Sequence, residues 1–282
     1  MPGSLYVVST PIGNLEDITL RALNTLRAVA LIAAEDTRRT SILLRHFGIA
    51  TPTTSLHEHN EHQKLPHLLQ KLTDGADVAL VSDAGTPLVA DPGQRLVAAA
   101  STNGIRVIPI PGASAVLSAL VASGFSADAF VFGGFAPSRS NDRRKWLASF
   151  NNEPRPIVFF ESPHRILKAL TDMSTELVER PILVARELTK LHEEIIRTTV
   201  ARAKGLPVVE KGEFTIVLGP LTMTAAPLNH PSQREVENLF SQLTNCGGMS
   251  RREALAKTAD KFGLSTNQVY ALLERLKSAP TS

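Results

Sequence analysis

The feature that most constrains this fold is an apolar segment that runs directly into a turn rich in glycine and proline. Residues 78–81 are all apolar, which predicts a buried strand, and residues 82–93 contain two Gly, two Pro and two Asp. Asp91 followed by Pro92 predicts the start of a helix, because Asp caps helices and Pro suits the first helical position. Ligands of open α/β sheets bind at the carboxyl ends of strands. We therefore expect residues 82–93 to form a ligand-binding loop, in which Gly85 lets a ligand approach the backbone closely.

The same succession of strand, turn and helix repeats along the first part of the chain. Leucines at helical spacing separate the apolar runs, so residues 1–124 are predicted to form an α/β domain with a largely parallel sheet. The turns at residues 10–15 and 111–115 follow two of these strands, and the first lacks the G-x-G-x-x-G pattern of dinucleotide-binding folds. The further strands predicted here are residues 5–9, 29–34 and 105–110.

The second half of the chain has a different pattern, in which strands outnumber helices. Long helices are predicted at residues 142–150 and 165–177. Because the links between the last three strands are short, we expect those strands to pair antiparallel. Residues 125–222 are therefore predicted to form a second α/β domain with a mixed sheet. Its predicted strands are residues 130–135, 157–161, 182–187, 195–199 and 214–218.

The last part of the chain is predicted to be a small helical unit behind a linker. Residues 223–231 are rich in Pro, Ala and Thr, which is typical of a linker, and residues 232–282 carry helical spacing. Ser250 and Glu253 have the spacing of a capping box, and Gly263 predicts a turn between two helices. This arrangement resembles a helix-turn-helix. It is equally consistent with a packing or dimerisation unit and with nucleic-acid contact.

Composition limits the class of protein. The apolar fraction of 43% and the charged fraction of 20% are ordinary for a soluble protein, and a net charge of +3 permits an anionic partner without requiring one. The single cysteine, Cys246, excludes an internal disulfide and favours a reducing compartment. No basic segment precedes the first apolar run, and no apolar run approaches the roughly 18 residues of a membrane span. We expect a cytoplasmic protein without membrane association.

Two polar segments have alternative interpretations. Three histidines and two glutamates in residues 57–62 could ligate a metal, but their spacing favours a solvated loop before a helix or a polar wall of the active cleft, so no metal site is predicted. Residues 138–145 form the densest basic run. A solvated helix face is the ordinary explanation for such a run, and contact with phosphate is the alternative, which its mixture of Ser, Asn and Arg suits.

Six motifs in order identify a family resemblance that covers about the whole chain. The chain resembles the tetrapyrrole-methylase-like methyltransferases, which use S-adenosylmethionine and have two α/β domains of a non-Rossmann class. Among them it is most similar to members that act on ribosomal RNA. Each motif is weakly specific alone, and their order makes the resemblance specific. The motifs are VSTPIGNLEDI at residues 8–18, AEDTR at 34–38, HEHN at 57–60, DAGTP at 83–87, FFESPHR at 159–165 and ARELTK at 185–190.

The resemblance implies an activity, a cofactor site and partners, and it implies that the second domain, residues 125–222, closes the cofactor cleft. The implied reaction is methylation of the ribose 2′-oxygen of a cytidine in the decoding centre of 16S rRNA, within the small ribosomal subunit, by a homodimer that uses S-adenosyl-L-methionine. The chain has Gly85-Thr86-Pro87 where tetrapyrrole-modifying members have Gly-Asp-Pro, which argues against a tetrapyrrole substrate. The implied cofactor-binding residues are Pro11, Ala84, Gly85, Thr86, Val89, Ser114, Ala115, Phe160, Leu188, Phe214 and Thr215.

Candidate catalytic residues follow from the need to remove a proton from a ribose hydroxyl. Glu187 and Lys190 are predicted to face the cleft, as are Glu161 and Arg165, and Lys190 could act as a base only if its pKa were depressed. An ordinary ion pair between Glu187 and Lys190 is the alternative. The residues expected to hold RNA are Arg38, Arg39, His57, His59, Asn60, Arg139, Arg143, Arg144 and Arg165.

Two other functions remain open at this stage. A small-molecule methylase of the tetrapyrrole type would need a cleft walled by apolar residues, whereas the loops here contain Arg38, His57 and Arg165. A non-catalytic RNA-binding assembly protein would suit the helical C-terminal unit and the basic run. In that protein the cofactor loops would be vestigial, although Pro11 and Gly85 are both present at predicted strand ends.

Overall fold

The computed structural model describes residues 1–221, 233–246 and 249–262, together with positions 266, 269, 270 and 273. Met1–Leu221 form one compact unit and Thr222–Ser282 form a second. The domain boundary predicted after residue 124 falls inside the first unit, between its two sheets. The predicted linker, residues 223–231, lies outside the described residues.

The first sheet contains five parallel strands in the order β3-β2-β4-β1-β5, which confirms the predicted α/β class with a parallel sheet. The predicted strands are present, and the short polar strand β3 is an addition, because Thr-Thr-Ser has no apolar pattern. The strands are β1 (Ser4–Val8), β2 (Leu31–Ala34), β3 (Thr53–Ser55), β4 (Val78–Val81) and β5 (Arg106–Ile110). The helices are α1 (Leu20–Ala28), α2 (Thr37–His46), α3 (Glu61–Thr73), α4 (Gln94–Thr102) and α5 (Ala115–Ser123), and Leu15–Asp17 form a 3₁₀ turn.

Both faces of this sheet are buried, as the apolar strands predict. Alternate residues of β1 enter different cores: Leu5 and Val7 pack with α3 and α4, whereas Val8 packs with α1 and α2. The connection that leaves β1 crosses the sheet toward β2, and the connection that leaves β4 crosses in the opposite direction toward β5. A crevice forms at the carboxyl ends of two strands whose connections diverge in this way. The loops after β1 and β4 border that crevice.

The second sheet is mixed, in the order β6-β7-β10-β8-β9, with β6 parallel to β7 and the other pairs antiparallel. The predicted antiparallel pairing of the last three strands is confirmed. One face packs against α6 and α7, and α5 of the first half packs against the other face through Val116, Ala119 and Leu120. The elements are β6 (Val131–Phe135), α6 (Ser140–Ala148), β7 (Ile157–Glu161), α7 (Ile166–Glu176), β8 (Pro181–Arg186), β9 (Glu194–Thr199), α8 (Val200–Ala203) and β10 (Phe214–Leu218).

The second unit is helical where it is described. It contains α9 (Gln233–Ser241), a π-helical segment Gln242–Cys246 and α10 (Arg251–Phe262). Ser250 and Glu253 form the predicted capping box, in which the Ser250 hydroxyl and backbone N–H donate to Glu253 Oε2 at 2.7 and 3.1 Å. Val236, Ala259 and Val269 are buried together. The predicted turn at Gly263 lies outside the described residues. In the described part of the chain, every helix is too short or too polar to cross a bilayer.

The prediction that Asp91 and Pro92 open a helix is wrong. Helix α4 begins at Gln94, and Gly93 occupies the N-cap position with φ = 111°. A Cβ atom at residue 93 would lie 2.6 Å from Leu80 Cδ2, so close packing as well as conformation requires glycine there. The buried Glu61 caps this helix from a distance, because its Oε1 accepts hydrogen bonds from the backbone of Arg95 and Leu96 at 2.9 and 3.2 Å.

Candidate active site

Three loops at the carboxyl ends of β1, β4 and β5 are tied together by hydrogen bonds. Thr10 and Gly85 exchange backbone hydrogen bonds at 2.8 and 3.0 Å. The hydroxyls of Ser9 and Thr86 lie 2.9 Å apart, and the Thr86 hydroxyl donates to the carbonyl of Ala113 at 3.4 Å. Gly85 has φ = 78°, which favours glycine. The loops therefore form one continuous wall of the crevice predicted from the strand order.

A cavity of about 410 Å³, the main cavity, lies against this wall, between the strand ends of the two sheets. Pockets for small molecules and cofactors commonly have volumes of about 300–1,000 Å³. Elements of both sheets border it, since residues after β2 and β4, the last residues of β6 and β7 and the start of β10 all contribute. Its lining residues are Ile12, Glu35, Arg39, Asp83, Ala84, Gly85, Thr86, Val89, Ala90, Asp91, Ser114, Ala115, Val116, Phe135, Phe160, Glu161, Ser162, Pro163, Glu213, Phe214 and Thr215.

All the predicted cofactor-binding residues except Pro11 and Leu188 line the main cavity. Pro11 lines an adjoining cavity, described below, and Leu188 is buried in the apolar core between α5 and the second sheet. Ser114 also caps α5, because its hydroxyl oxygen accepts a hydrogen bond from the Leu117 N–H at 3.4 Å. The start of α5 therefore presents free backbone N–H groups beside the cavity, and such groups favour polar or anionic ligand atoms.

Four carboxyl groups in the main cavity were not among the predicted site residues. Glu35, Asp83, Asp91 and Glu213 all line it. Burial, helped by the charges of Glu35 and Asp83, raises the pKa of Asp91 to about 6 although Ser82 hydrogen-bonds its carboxylate. Burial also raises the pKa of Glu35, and the nearby Asp83 charge acts in the same direction. Glu35 could have been found from the polar residues that follow the apolar residues of β2. Asp91 was not expected in the cavity because it was predicted to cap a helix.

The predicted catalytic pair is an ion pair in a strained loop. Glu187 and Thr189 have φ values of 52° and 66°. Lys190 Nζ lies 2.7 Å from Glu187 Oε1 and 3.1 Å from Glu213 Oε2. Burial acts to lower the pKa of Lys190, but the hydrogen bond to Glu187 and the charge of Glu213 raise it overall. The depressed pKa that Lys190 would need as a base is therefore absent, and the ion-pair interpretation describes the geometry.

Glu187 is likewise held in its charged form. Burial acts to raise the pKa of Glu187, but the hydrogen bond from Lys190 and one from the Glu213 backbone N–H lower it overall. Its Oε1 accepts both of these bonds, at 2.7 and 3.0 Å. A carboxylate with a lowered pKa and an occupied oxygen is a weak proton acceptor. The geometry therefore favours a positioning role for this pair.

A second cavity of about 260 Å³ adjoins the main one, and the two share Ile12, Arg39, Asp83, Ala84 and Glu213. Pro11 and Lys190 line the second cavity only. The loop after β1 packs tightly on the Lys190 loop, because a Cβ atom at Gly13 would lie 2.4 Å from Lys190 Cγ. The Asn14 N–H donates to the Thr189 hydroxyl at 3.1 Å. The ion pair is thus fixed beside the second cavity.

The predicted RNA residues near the cavities are the basic side chains of α2. Arg38 is 89% exposed, and its guanidinium donates two hydrogen bonds to the Asp36 carboxylate, which lowers the pKa of Asp36 to about 2. Arg39 lines both cavities and lies 3.3 Å from Asp83 Oδ2. Arg165 is half-buried, and its Nη2 lies 2.8 Å from Glu161 Oε1. Arg39 therefore places a cation in the wall of the main cavity, and Arg165 is paired with Glu161 of the same wall.

The predicted RNA-binding residues in the loop before α3 make some of their contacts within that loop. Asn60 Oδ1 accepts the His57 N–H at 2.8 Å, and Asn60 Nδ2 donates to the Ser55 hydroxyl at 3.1 Å. The His57 and His59 rings pack edge to face, with centroids 6.1 Å apart. His59 is exposed, and Asn60 shapes the loop. The described residues contain no group of His, Cys, Asp and Glu arranged to hold a metal ion.

Arg143 requires a correction. It was expected to contact RNA, but only 2% of its side chain is exposed, and its guanidinium donates to Asp172 Oδ2 at 2.6 and 2.9 Å. It also donates to the carbonyls of Pro137 and Ser138. Arg143 therefore joins α6 to α7 and is not available to RNA. Arg139 and Arg144 are exposed, and Arg144 is paired with Glu176 on α7.

Comparisons with known proteins agree with the fold. Residues 4–204 match the family described as Tetrapyrrole (Corrin/Porphyrin) Methylases. Relatives named ribosomal RNA small subunit methyltransferase I include one from Synechocystis sp., 47% identical over 98% of this chain and 99% of the relative. Another, from Escherichia coli O157:H7, is 44% identical over 95% of this chain and 93% of the relative.

Solved structures share the fold at low sequence identity. Uroporphyrin-III-C-methyltransferase from Thermus thermophilus has a TM-score of 0.56 at 19% identity, over 77% of this chain and 94% of that one. Diphthine synthase has a TM-score of 0.62 at 16% identity, over 77% of this chain and 90% of that one. The match to the family over most of the chain, and the near full-length relatives, show that this chain belongs to the tetrapyrrole methylase family and, within it, to the ribosomal RNA small subunit methyltransferase I group.

Proposed function

We propose that this protein transfers a methyl group from S-adenosyl-L-methionine to the ribose 2′-oxygen of a cytidine in the decoding centre of 16S rRNA. The observation that carries the proposal is the gathering of nearly all predicted cofactor residues around one cavity of suitable size. The names of the full-length relatives support an rRNA substrate in the small ribosomal subunit. The fold alone would not decide the substrate, because one fold serves many functions.

The residues of the main cavity suit a cationic nucleoside. Phe135 and Phe160 lie with ring centroids 5.3 Å apart at its wall and offer an apolar surface. Glu35 and Asp83 place negative charge beside it, which complements a sulfonium or ammonium group. When bound, S-adenosylmethionine supplies a methyl group that is already activated for transfer. The wall of three linked loops would hold the methionine part, and Phe160, Phe214 and Thr215 would enclose the adenosine.

The contribution of the protein is mainly alignment of the two reactants. Holding the acceptor oxygen in line with the donor can lower a barrier by about 7–11 kcal/mol. The second cavity adjoins the main one and contains Lys190 and Arg39, so it offers cations to the phosphates beside an acceptor nucleotide. Arg38, His57, His59, Arg139, Arg144 and Arg165 are the other proposed RNA contacts.

The role of the Glu187–Lys190 pair in this reaction is positioning of RNA. We expect Lys190→Ala to raise the KM for rRNA about tenfold, the size of one lost charge-assisted hydrogen bond, with kcat nearly unchanged. Glu187→Ala should have a smaller effect on KM. Lys204→Ala is the matched control, because Lys204 is exposed and borders neither cavity. A loss confined to kcat, with an altered pH profile, would instead make Lys190 an acid–base group.

The proposed reaction is tested by incubating the protein with methyl-labelled S-adenosylmethionine and either naked or subunit-bound 16S rRNA. The label should enter a single cytidine of the decoding centre. Its ribose should then resist alkaline hydrolysis at that position, because the 2′-oxygen is blocked. Label in a base, or at another region of the rRNA, would contradict the proposed specificity. Comparison of the two substrates also shows whether the assembled subunit is required.

The rival functions predict other results. A tetrapyrrole methylase would transfer label to a tetrapyrrole and not to RNA. A non-catalytic assembly protein would give no heat on titration with S-adenosylmethionine. The names of the full-length relatives disfavour the first rival, and the intact cavity disfavours the second.

We further propose that the protein acts in the cytoplasm as a homodimer. The outer face of α5 supports association, because Leu117 and Val121 lie one turn apart and are both exposed apolar side chains. Sedimentation equilibrium should give twice the mass of one chain. A mass of one chain at micromolar concentration would contradict the dimer.

A further inference from the structure

Glu161 is a buried carboxylate in the wall of the main cavity, and only one of its oxygens is satisfied. Its side chain is 0% exposed. Oε1 accepts hydrogen bonds from the Ser162 N–H at 2.6 Å and from Arg165 Nε at 2.9 Å. No described residue donates a hydrogen bond to Oε2, although that atom is buried. The two oxygens of one carboxylate thus have opposite surroundings.

A buried acceptor without a donor is costly, by about 1–3 kcal/mol and more for a charged group. Buried carboxylate oxygens are nearly always hydrogen-bonded, so an exception at a cavity wall marks a place where a ligand could donate a hydrogen bond. Glu161 borders the main cavity, and Oε1 of its carboxylate is already paired with Arg165. The cavity is therefore the place from which a ligand can supply the missing donor.

The position of Glu161 in the sheet indicates which part of the ligand supplies that donor. It ends β7, directly after Phe160, and pairs across the sheet with Phe214 of β10. These neighbours are the residues proposed to enclose the adenosine, whereas the loops around Gly85 lie on the first sheet. The hydrogen-bond donors of an adenosine are its ribose hydroxyls and its adenine amino group. Carboxylates are common partners of ribose hydroxyls in nucleotide-binding sites.

We propose that Glu161 is a cofactor-binding residue whose Oε2 accepts a hydrogen bond from a ribose hydroxyl of the cofactor. This inference depends on the proposed function, because it places the cofactor in the main cavity. Arg165 then has a positioning role, since it holds the carboxylate through Oε1 and leaves Oε2 unpaired. Arg165 consequently serves the cofactor side of the reaction as well as the proposed RNA surface.

The test is a set of calorimetric titrations that pairs protein variants with altered ligands. The ligands are S-adenosylhomocysteine, its 2′-deoxy and 3′-deoxy forms, and S-inosylhomocysteine, which lacks the adenine amino group. The proteins are the unmodified chain, Glu161→Gln and the control Glu176→Gln. Glu176 is also paired with an arginine, Arg144, but does not border the main cavity. Thermal melts of each variant verify folding, and glutamine preserves the size of the side chain.

The expected result is that the Glu161→Gln substitution and the removal of one ribose hydroxyl have non-additive effects on the binding affinity. Glu161→Gln should weaken binding of S-adenosylhomocysteine about tenfold or more, and removal of one ribose hydroxyl should weaken binding to the unmodified chain by a similar factor. That deoxy ligand should bind Glu161→Gln no more weakly than the full ligand does. Glu176→Gln should bind all four ligands as the unmodified chain does.

Several results would overturn the inference. Equal affinity of Glu161→Gln and the unmodified chain for S-adenosylhomocysteine would remove Glu161 from the site. If Glu161→Gln lowered the affinity equally for S-adenosylhomocysteine and for both deoxy ligands, its effect would be structural. If its effect were non-additive only with S-inosylhomocysteine, the hydrogen bond would go to the adenine amino group. If the unmodified chain gave no binding heat with any ligand, the proposed function itself would fail, which is distinct from a failure of Glu161.

Discussion

At the scale of single residues, Asp91 shows how the main cavity changes the chemistry of its wall. Asp91 is partly exposed, and burial together with the charges of Glu35 and Asp83 raises its pKa from 3.8 to about 6. The folded state therefore holds this proton more tightly than the unfolded state does. It follows that folding is penalised as the pH rises from about 4 to about 6, and that the full penalty persists at higher pH.

We predict that Asp91→Asn stabilises the protein at pH 8 and has no effect near pH 3.5. An asparagine has no charge to bury, so the penalty disappears. After allowance for solvent screening of a partly exposed group, the gain should be about 1 kcal/mol, or roughly 2–4 °C in Tm. Differential scanning calorimetry over this pH range measures it. Asp74→Asn is the control, because Asp74 is exposed and lies outside the cavity. A gain that was equal at both pH values would contradict the explanation.

Residue-level prediction reached the main cavity where local sequence chemistry gives a signal. Gly85 and Ser114 line this cavity, and both could be singled out because a strand-to-turn junction and a helix start are visible in the sequence. The burial of Arg143 could not be predicted, because its partner Asp172 is 29 positions away on another helix. The pKa of Lys190 was equally inaccessible, since Glu213 approaches it from a distant strand.

At the scale of elements, the loop between β4 and α4 holds backbone conformations that side chains disfavour. Leu88 and Ala90 have φ values of 73° and 66°, and Gly93 has 111°. Such conformations cost about 1–3 kcal/mol each for residues other than glycine and persist only where packing enforces them. The loop is therefore held under strain beside the main cavity. That arrangement is typical of sites that are preorganised for a ligand.

We predict that Gly93→Ala lowers the free energy of unfolding by about 2–3 kcal/mol and weakens cofactor binding. The added Cβ would lie 2.6 Å from the buried Leu80, and the backbone conformation excludes most residues with side chains. Urea titrations followed by circular dichroism measure the loss. Gly104→Ala is the matched control: it has φ = 69° but nothing within 4 Å of the added atom, so it should cost only about 1 kcal/mol. Equal losses would show that packing against Leu80 is unimportant.

Element prediction was most successful where hydrophobic pattern and burial agree. Fully apolar β4 was identified from its sequence, whereas polar β3 was missed because pairing with β2, and not side-chain pattern, makes it a strand. The start of α4 was placed too early, since Asp91 and Pro92 satisfy the local rules for a helix start. The side chain that accepts hydrogen bonds from the first N–H groups of α4 is Glu61, which belongs to another helix and therefore gives no local sequence signal.

At the scale of the whole first unit, α5 joins the parallel sheet to the mixed one. It follows β5 directly, and its apolar side chains Val116 and Leu120 pack against strands of the second sheet. Most strands of both sheets could be predicted from the sequence because they are apolar, and the polar β3 is the exception. That the strand ends of the two sheets face one cleft could be expected from the family resemblance but not from the residues themselves, because it depends on packing between segments that are far apart in the chain.

The most direct test of the central claim is a crystal structure of this protein with S-adenosylhomocysteine bound. We predict that the ligand lies in the main cavity, with its amino-acid part beside Gly85, its adenosine against Phe160 and Thr215, and a ribose hydroxyl next to Glu161. A ligand bound outside the main cavity, or strand-end loops of the two sheets on opposite faces of the unit, would contradict it.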